Sequence, residues 1–415
     1  MDLLRISTAG SVDDGKSTLI GRLLYDTNAL TKEQEQLIEK KTAEKGLKDL
    51  DFSVITDGLI AEREQGITID VAHIYFSTKN RKFIIADSPG HVEYTRNMVT
   101  GASNAEASII LIDARKGLLE QSYRHFFISQ LLRLDTVVFC INKMDLVAYS
   151  EDVFLEIATA IKQMVDSYKG VQPKIEIIPI SSLKGDNVVH DFGNMPWYHG
   201  PSLNGLLHEI SSAEITEEDF RMDVQQVLHV QNDDFVDFRG FSGKITSGSI
   251  KQGDELKVLP SGKVSKVKEI RQYTSLLKGA QKGDSVIISL YDEVDASRGS
   301  LFVKVDEKEP VSVKSITAKL VWLNEDSAHL GGRYIIQAGS RLNQVKLQQI
   351  HYVIPPEDPN SKLEQSELEL NDIANVELRL AQSIYLDSYT ENKSNGTFIL
   401  IDPQTNNTCA IGFVE

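Results

Sequence analysis

The sequence predicts a doubly wound α/β domain with a mostly parallel sheet, followed by two small antiparallel β-barrels. Up to about residue 213, apolar strand-like runs alternate with helical stretches, which is typical of a parallel sheet covered by helices. Beyond that point short alternating strands follow one another between glycine turns, as in small barrels. A glycine-rich stretch after the first apolar run also indicates an α/β domain at the start of the chain.

This stretch has the composition of a phosphate-binding loop. Glycines allow successive backbone N–H groups to turn toward anionic oxygens, and the helix that follows adds its positive dipole end. Lys16 brings a charge to the β- and γ-phosphates, and the Ser17 hydroxyl is placed to ligate Mg²⁺. The predicted phosphate-binding residues are Gly10, Ser11, Val12, Asp13, Asp14, Gly15, Lys16, Ser17 and Thr18.

A second segment follows the strand-like run 83–86. Asp87 comes at the end of that run, where ligands bind in parallel sheets, and can hold Mg²⁺ through water. Gly90 lacks a side chain, so its N–H can approach a γ-phosphate closely and would be released when that phosphate is lost. The sequence therefore predicts a switch made of Asp87, Ser88, Pro89, Gly90 and His91.

Upstream of this segment, Thr68 lies in the glycine-containing stretch 63–70. Its hydroxyl could complete the metal shell when a triphosphate is bound. The predicted metal ligands are thus Ser17, Thr68 and, through water, Asp87.

A third segment predicts which base is bound. Asn142, Lys143 and Asp145 follow the strand-like run 137–141. A carboxylate can accept two parallel hydrogen bonds from N1–H and the 2-amino group of guanine, which adenine does not offer. Asp145 therefore reads guanine, while Asn142 tethers neighbouring loops or the base, and the stem of Lys143 covers the base. The backbone donors for the guanine oxygen are predicted at Ser181, Ser182 and Leu183.

Each motif alone also fits an ordinary turn or strand end. Their number and order along one chain favour a single GTP and Mg²⁺ site. The first domain is thus predicted to be a P-loop GTPase domain.

These motifs resemble the translational GTPase superfamily and, within it, the large GTPase subunit of sulfate adenylyltransferase. The matching segments include 10–24, 91–98, 112–117 and 195–201, and further similarity at 237–243, 259–262 and 396–402 extends over essentially the whole chain. Ser88 stands where Thr is commoner, and Ser182 replaces the usual Ala of the base loop, which leaves the base packing open.

The resemblance implies that His91 orients the hydrolytic water, with Lys16 and Thr68 as further catalytic residues. It also implies a heteromer in which a small catalytic subunit binds ATP and sulfate and forms adenosine 5′-phosphosulfate and pyrophosphate. A Ser-Gly-Gly-x-Asp-Ser loop of the kind found in that small subunit does not occur in this sequence. Adenylyl transfer is therefore expected on another polypeptide.

Composition adds weaker expectations. A formal net charge of -16 disfavours broad nucleic-acid binding. No apolar run approaches the roughly 18 residues of a membrane span. Nucleic acid is therefore not expected as a partner because of the charge, and a membrane is not expected because of the short apolar runs. The expected location is the cytoplasm. Cys140 and Cys409 are expected to be reduced and buried.

The predicted domains are 1–213 for GTP binding, 214–308 for the first barrel and 309–415 for the second. The segment 355–368 is either a solvated connection or a docking site, and the connection is favoured. Two other functions remain open: a translation elongation factor-like GTPase, and a stand-alone regulatory GTPase.

Overall fold

The computed structural model describes residues 2–11, 13–46, 49–55, 72–88, 95–211, 218–230, 238–273, 275–355 and 358–415. Two compact units are present. The first contains Met1–Glu214 with Pro356–Ser361, and the second contains Ile215–Pro355 with Lys362–Glu415. The domain boundaries at 213 and 308 stay predictions.

The first unit contains a six-stranded sheet in the order β2-β3-β1-β4-β5-β6. Strands β1 and β3 to β6 are parallel, whereas β2 is antiparallel to β3. The strands are β1 (Asp2–Gly10), β2 (Ala72–Ser77), β3 (Arg81–Asp87), β4 (Ala107–Asp113), β5 (Thr136–Asn142) and β6 (Lys174–Pro179).

Every residue of β4 and β5 is buried, because central strands of a parallel sheet are covered on both faces. The described helices are α1 (Lys16–Asp26), α2 (Lys32–Glu44), α3 (Thr95–Ala102), α4 (Glu120–Leu131), α5 (Glu151–Ser167) and α6 (Leu203–Glu209). Short 3₁₀ turns are formed by Phe52–Ile55 and Met144–Val147.

Helix starts follow local capping chemistry. The sequence predicts a helix from residue 29, but α2 begins at Lys32 because Thr31 caps it in a reciprocal capping box with Gln34. At α5 the Ser150 hydroxyl accepts the Val153 N–H at 3.4 Å. Of the helices that the structure describes, none combines the length and apolar character that a membrane crossing requires.

The second unit contains two closed antiparallel rings, as predicted. In the first ring the order is β11-β16-β7-β9-β15-β12, and β12 pairs back with β11. The strands of this ring and the four flanking strands β8, β10, β13 and β14 are β7 (Arg221–Asp223), β8 (Gln226–Val230), β9 (Phe238–Ser247), β10 (Ser249–Lys251), β11 (Glu255–Leu259), β12 (Lys263–Gln272), β13 (Ser275–Leu277), β14 (Gly279–Gln281), β15 (Ser285–Leu290) and β16 (Leu301–Lys304).

The second ring closes in the order β17-β22-β20-β19-β23-β24 around a core that includes Trp322, Val376 and Phe398. Along each strand alternate residues face this core, which accounts for the alternation of apolar and polar residues in the sequence. Its strands and two short flanking ones are β17 (Val311–Trp322), β18 (Ala328–His329), β19 (Arg333–Ala338), β20 (Arg341–Val353), β21 (Glu367–Leu368), β22 (Ile373–Leu386), β23 (Thr397–Ile401) and β24 (Thr408–Val414).

Buried ion pairs join the two rings. Arg221 of β7 has 1% of its side chain exposed, and its Nε lies 2.9 Å from Asp387 Oδ2. The Arg341 Nε of β20 lies 3.2 Å from Asp223 Oδ1. Asn395 donates to Asp387 Oδ2 at 2.7 Å and accepts from Arg341 at 2.6 Å, so one polar network spans both rings.

Candidate nucleotide site

Four of the predicted segments meet at one edge of the sheet. Gly10, Asp87 and Asn142 are the last residues of β1, β3 and β5, and Ser181 follows β6 closely. Because these strands are parallel, their carboxyl ends lie side by side, which is where α/β sheets bind ligands.

The loop between β1 and α1 depends on Gly15. Its φ is +94°, in the left-handed region that favours glycine. A Cβ at this position would lie 2.5 Å from Asn142 Nδ2. Gly15 therefore allows Asn142 to approach the loop backbone.

Asn142 connects the predicted phosphate-binding loop to the loop that carries Ser182, one of the segments predicted to bind the base. Its Nδ2 donates to the Asp14 carbonyl at 2.7 Å, and its Oδ1 accepts both the backbone N–H and the hydroxyl of Ser182 at 2.9 Å. Asn142 is 1% exposed, so these bonds are shielded from water. The hydroxyl of Ser182, which the usual Ala would lack, thus supports Asn142.

Lys143 is fixed by a carboxylate that sequence reasoning missed. Its Nζ donates to the Asp13 carbonyl and lies 2.9 Å from Asp113 Oδ2 at the end of β4. Arg115 also donates to both oxygens of Asp113, at 3.0 and 2.6 Å. Burial by itself would raise the pKa of Asp113, but the hydrogen bonds from Arg115 and Lys143 outweigh it and hold the pKa well below its usual range.

The predicted guanine reader, Asp145, is oriented by a neighbour. The Ser181 hydroxyl donates to Asp145 Oδ1 at 2.7 Å. Ser181 was predicted only as a backbone donor, and its side chain has this additional contact. The carbonyl of Leu183 lies 3.5 Å from Arg22 Nη1 of α1, so the base loop also touches the helix that follows the phosphate-binding loop.

Lys16 lies beside the predicted metal ligand. Its Nζ is 3.2 Å from Asp87 Oδ1 and also donates to the Ser88 carbonyl. Thr8 of β1 donates to the same Asp87 oxygen at 2.9 Å, a second contact that sequence reasoning missed. Asp87 is fully buried and held from two sides.

Several buried polar atoms around this edge have no hydrogen-bond partner within the described part of the chain. They are Ser11 Oγ, Asp14 Oδ1, Asp87 Oδ2 and Ser88 Oγ. Because buried polar atoms are nearly always paired, a polar ligand at this edge would explain them. Carboxylate and hydroxyl oxygens are the donors that Mg²⁺ prefers, so Asp87 and Ser17 fit such an ion.

The side chain of Asp14 has a raised pKa. Its Oδ2 accepts the Ser11 N–H at 2.7 Å, and its side chain is almost completely buried. Burial raises the pKa of Asp14 to about 6, and the Ser11 N–H together with the charges of Lys116 and Lys143 offsets only part of this effect.

The structure thus brings together most of the predicted site. Ser17 and Thr18 lie in the first turn of α1, directly after Lys16. Five predicted residues fall outside the described residues: Val12, Thr68, Pro89, Gly90 and His91. The roles assigned to all these residues stay predictions. Asp113 could have been found from the sequence, because it ends an apolar run just as Asp87 and Asn142 do.

Comparison with known proteins agrees with this geometry. Residues 1–257, more than half of the chain, match the family of elongation factor Tu GTP binding domains. Sulfate adenylyltransferase subunit 1 of Bacteroides fragilis (strain YCH46) is 46% identical over 418 residues, covering 100% of this chain and 86% of that protein. The protein of the same name from Psychromonas ingrahamii is 44% identical over 418 residues, covering 100% of this chain and 87% of that protein.

The chain belongs to the sulfate adenylyltransferase subunit 1 family.

This family lies within the translational GTPases, as the resemblance in the sequence implied. Residues 315–415, in the second ring, match GTP-eEF1A C-terminal domain-like proteins. The solved GTPase-like domain of S. cerevisiae Ski7, bound to GDP and inorganic phosphate, has a TM-score of 0.53, covering 100% of this chain and 97% of that chain. At 17% identity this likeness shows the fold of the subunit 1 family member and nothing more.

Proposed function

We propose that this chain is the GTPase subunit of a sulfate adenylyltransferase, in which GTP hydrolysis is coupled to sulfate activation on a partner subunit. The geometric observation that supports the nucleotide-binding part of the proposal is the position of Asn142, which joins the predicted phosphate-binding loop to the predicted base-binding loop at Ser182. Identity of 44 to 46% over the full chain to proteins named sulfate adenylyltransferase subunit 1 favours this function over a translation factor or a stand-alone GTPase.

In this proposal each predicted segment contributes to binding. The loop 10–18 holds the phosphates, with Lys16 exchanging part of its contact with Asp87 for phosphate oxygens. Asp145 accepts two hydrogen bonds from guanine, and the stem of Lys143, held by Asp113, covers the base. Ser17, Asp87 and Thr68 would hold Mg²⁺, which supplies neutralisation of phosphate charge.

We assign the hydrolytic step to His91, by the resemblance to translational GTPases. The imidazole orients a water molecule toward the γ-phosphate, and loss of that phosphate releases Gly90. Hydrolysis is then slow unless the switch segment is ordered.

The partner is the small catalytic subunit, which binds ATP and sulfate. Adenosine 5′-phosphosulfate contains a costly sulfate-phosphate anhydride, so its formation needs coupling to a favourable step. A GTPase can supply this coupling only if its GTP- and GDP-bound forms bind the partner with different affinity. Neither nucleic acid nor a membrane is proposed as a partner, and the proposed location is the cytoplasm.

A single-turnover GTPase assay tests the proposal. We expect slow hydrolysis by the purified chain and faster hydrolysis after addition of the small subunit, ATP and sulfate. His91→Ala should leave GTP affinity within a small factor but abolish the stimulation, whereas Lys16→Ala should lose binding itself. Rapid hydrolysis by the chain alone, unchanged by every addition, would instead support a stand-alone GTPase.

A further inference from the structure

Three basic side chains cross the outer face of the second barrel in one row. Strand pairing sets Arg333 of β19 opposite Lys346 of β20, and Lys346 opposite Arg379 of β22. Directly paired residues point to the same side of a sheet, so the three side chains lie next to one another. All three are exposed. Like charges in directly opposed positions destabilise a sheet, so folding alone does not explain this row.

The three cations of this row are not held in ion pairs with any described residue. Within the described residues, none of the three side chains forms a hydrogen bond or an ion pair. Two carboxylates of this barrel, Glu377 and Asp402, accept hydrogen bonds from neutral donors and form no ion pair with the row in the described structure: Glu377 accepts the Ser315 hydroxyl at 2.8 Å, and Asp402 accepts the N–H groups of Gln404 and Thr405 at 2.8 Å. The chain has 60 acidic and 44 basic residues, so an excess of basic residues over the whole chain does not account for the row.

An apolar groove runs beside the row. It has a volume of about 410 Å³ and is lined by the three cations and Gln344 together with Tyr334, Ile335, Val345, Leu380, Ala381 and Pro403. A small inorganic anion would leave this apolar lining exposed to water. The combination fits a partner that carries both acidic and apolar side chains.

We propose that this face, defined by Arg333, Lys346 and Arg379, docks an acidic and partly apolar segment of the second subunit of the enzyme. The six strands of the ring that carries this face are each paired on both sides in the described structure, so a peptide cannot add to them as a further strand, and recognition occurs through side chains. Alternate residues of an extended peptide are about 6.6 Å apart, and neighbouring strands about 4.8 Å apart. Long Arg and Lys side chains span that difference, and the guanidinium groups can bind carboxylates bidentately.

The choice of the second subunit as the occupant rests on the proposed function, since that choice requires the chain to form a heteromer. The face itself lies in the second unit and takes no residue from the nucleotide site. Docking should therefore be separable from GTP binding.

Charge reversal tests the docking face. The triple variant Arg333→Glu, Lys346→Glu and Arg379→Glu is compared with the control Lys251→Glu, Lys263→Glu and Lys278→Glu, which makes the same charge change at exposed positions of the first barrel. Affinity for the purified second subunit is measured by titration calorimetry at low and at physiological salt. We expect the face variant to bind at least tenfold more weakly and with less salt dependence, while the control binds like the wild type.

Thermal unfolding and GTP titration check that both variants fold. If the glutamate variant unfolds early, the milder Arg333→Gln, Lys346→Gln and Arg379→Gln variant gives the same comparison without introduced acids. Binding that is equally tight for the wild type, the face variants and the control would overturn the docking face alone. If the face variants lose nucleoside triphosphate binding while their affinity for the second subunit is unchanged, the face does not bind a protein segment and the proposal is overturned. If the wild-type chain forms no complex at all, the heteromer of the proposed function is wrong, and this occupant with it.

Discussion

Asn142 shows how one side chain can assemble a site. Its amide has a donor end and an acceptor end, and the structure uses them on two different loops, at Asp14 and Ser182. Asp14 and Ser182 lie in loops, outside the described helices and strands, so a buried side chain supplies the connection between them. The segments predicted to bind the base and the phosphates are therefore positioned together.

At Asp145 we predict a change of base preference. Asp145→Asn replaces one acceptor by a donor that faces the donors of guanine, while its remaining oxygen can still accept the Ser181 hydroxyl. GTP affinity should fall by roughly 2 kcal/mol or more, the order expected when a buried polar group is left unpaired, and xanthosine triphosphate should bind better. Nucleotide titrations measure both, with exposed Asp152→Asn as the control. Wild-type GTP affinity in the Asp145 variant would show that the base is read elsewhere.

At Asp113 we predict a positioning role. Asp113→Asn removes the charge that holds Lys143, so the lysine stem should lose the fixed position from which we propose that it covers the base. Affinity for GTP should fall about tenfold, or about 1.4 kcal/mol, while the hydrolysis rate of bound GTP stays nearly constant. Stopped-flow binding and single-turnover assays separate the two quantities. Asp135→Asn, an exposed carboxyl at the adjacent strand start, should change neither. A change in rate with unchanged affinity would contradict this role.

The loop between β1 and α1 combines two features that lower the stability of the fold. It buries a carboxyl group, Asp14, between the strand and the helix, and it adopts a left-handed backbone at Asp13 and Gly15. Such features cost stability and persist where the surrounding structure holds them in place. Here Asn142 and Lys143 hold the loop carbonyls.

This burial predicts a pH dependence. The pKa of Asp14 is raised to about 6 by burial, from 3.8 in the unfolded chain. The folded state therefore binds the proton more tightly, so the contribution of Asp14 to stability is present below pH 4 and is lost as the pH rises through 6. Asp14→Asn should gain stability relative to the wild type between pH 4.5 and pH 7.5. Urea unfolding at both pH values measures this difference, and a constant difference would show that Asp14 titrates normally.

At the scale of the molecule, the second unit contains two barrels with a shared polar network. Arg221 is nearly inaccessible and is bonded to Asp387 and to the carbonyls of Phe220 and Lys308. The second ion pair between the rings joins Arg341 to Asp223. Burial raises the pKa of Asp223 in spite of the arginine charge. A buried network of this kind is costly to break, because the remaining charge stays in a poorly solvated place.

We therefore predict that Arg221→Met destabilises the second unit by roughly 3 to 5 kcal/mol, the cost of removing one partner of a buried ion pair. Calorimetric unfolding should show this loss in the transition of the second unit. Arg221→Met with Asp387→Leu should recover part of it, because no charge is then left unpaired. Lys244→Met, at an exposed position of β9, is the control. If Arg221→Met unfolds like the control, the pair adds nothing to stability.

The amino-acid sequence by itself determined the fold class and the order of the motifs, and it predicted the residues that the structure gathers at the carboxyl edge of the sheet. These properties are local: a run of apolar residues predicts a buried strand, alternation predicts a barrel strand, and a polar motif at a strand end predicts a ligand contact. Helix and strand ends shifted by a few residues, as at Lys32, where capping decided the start.

Only the tertiary structure decided which side chains support the site and which form a surface. Asp113 and Thr8 act on Lys143 and Asp87 because parallel strands bring distant positions together, and the row of Arg333, Lys346 and Arg379 exists only through strand register. A one-residue shift of register would send a side chain to the opposite face of the barrel. Register is set by packing of the whole core, so residues that are far apart in the sequence give no local sign that they will meet.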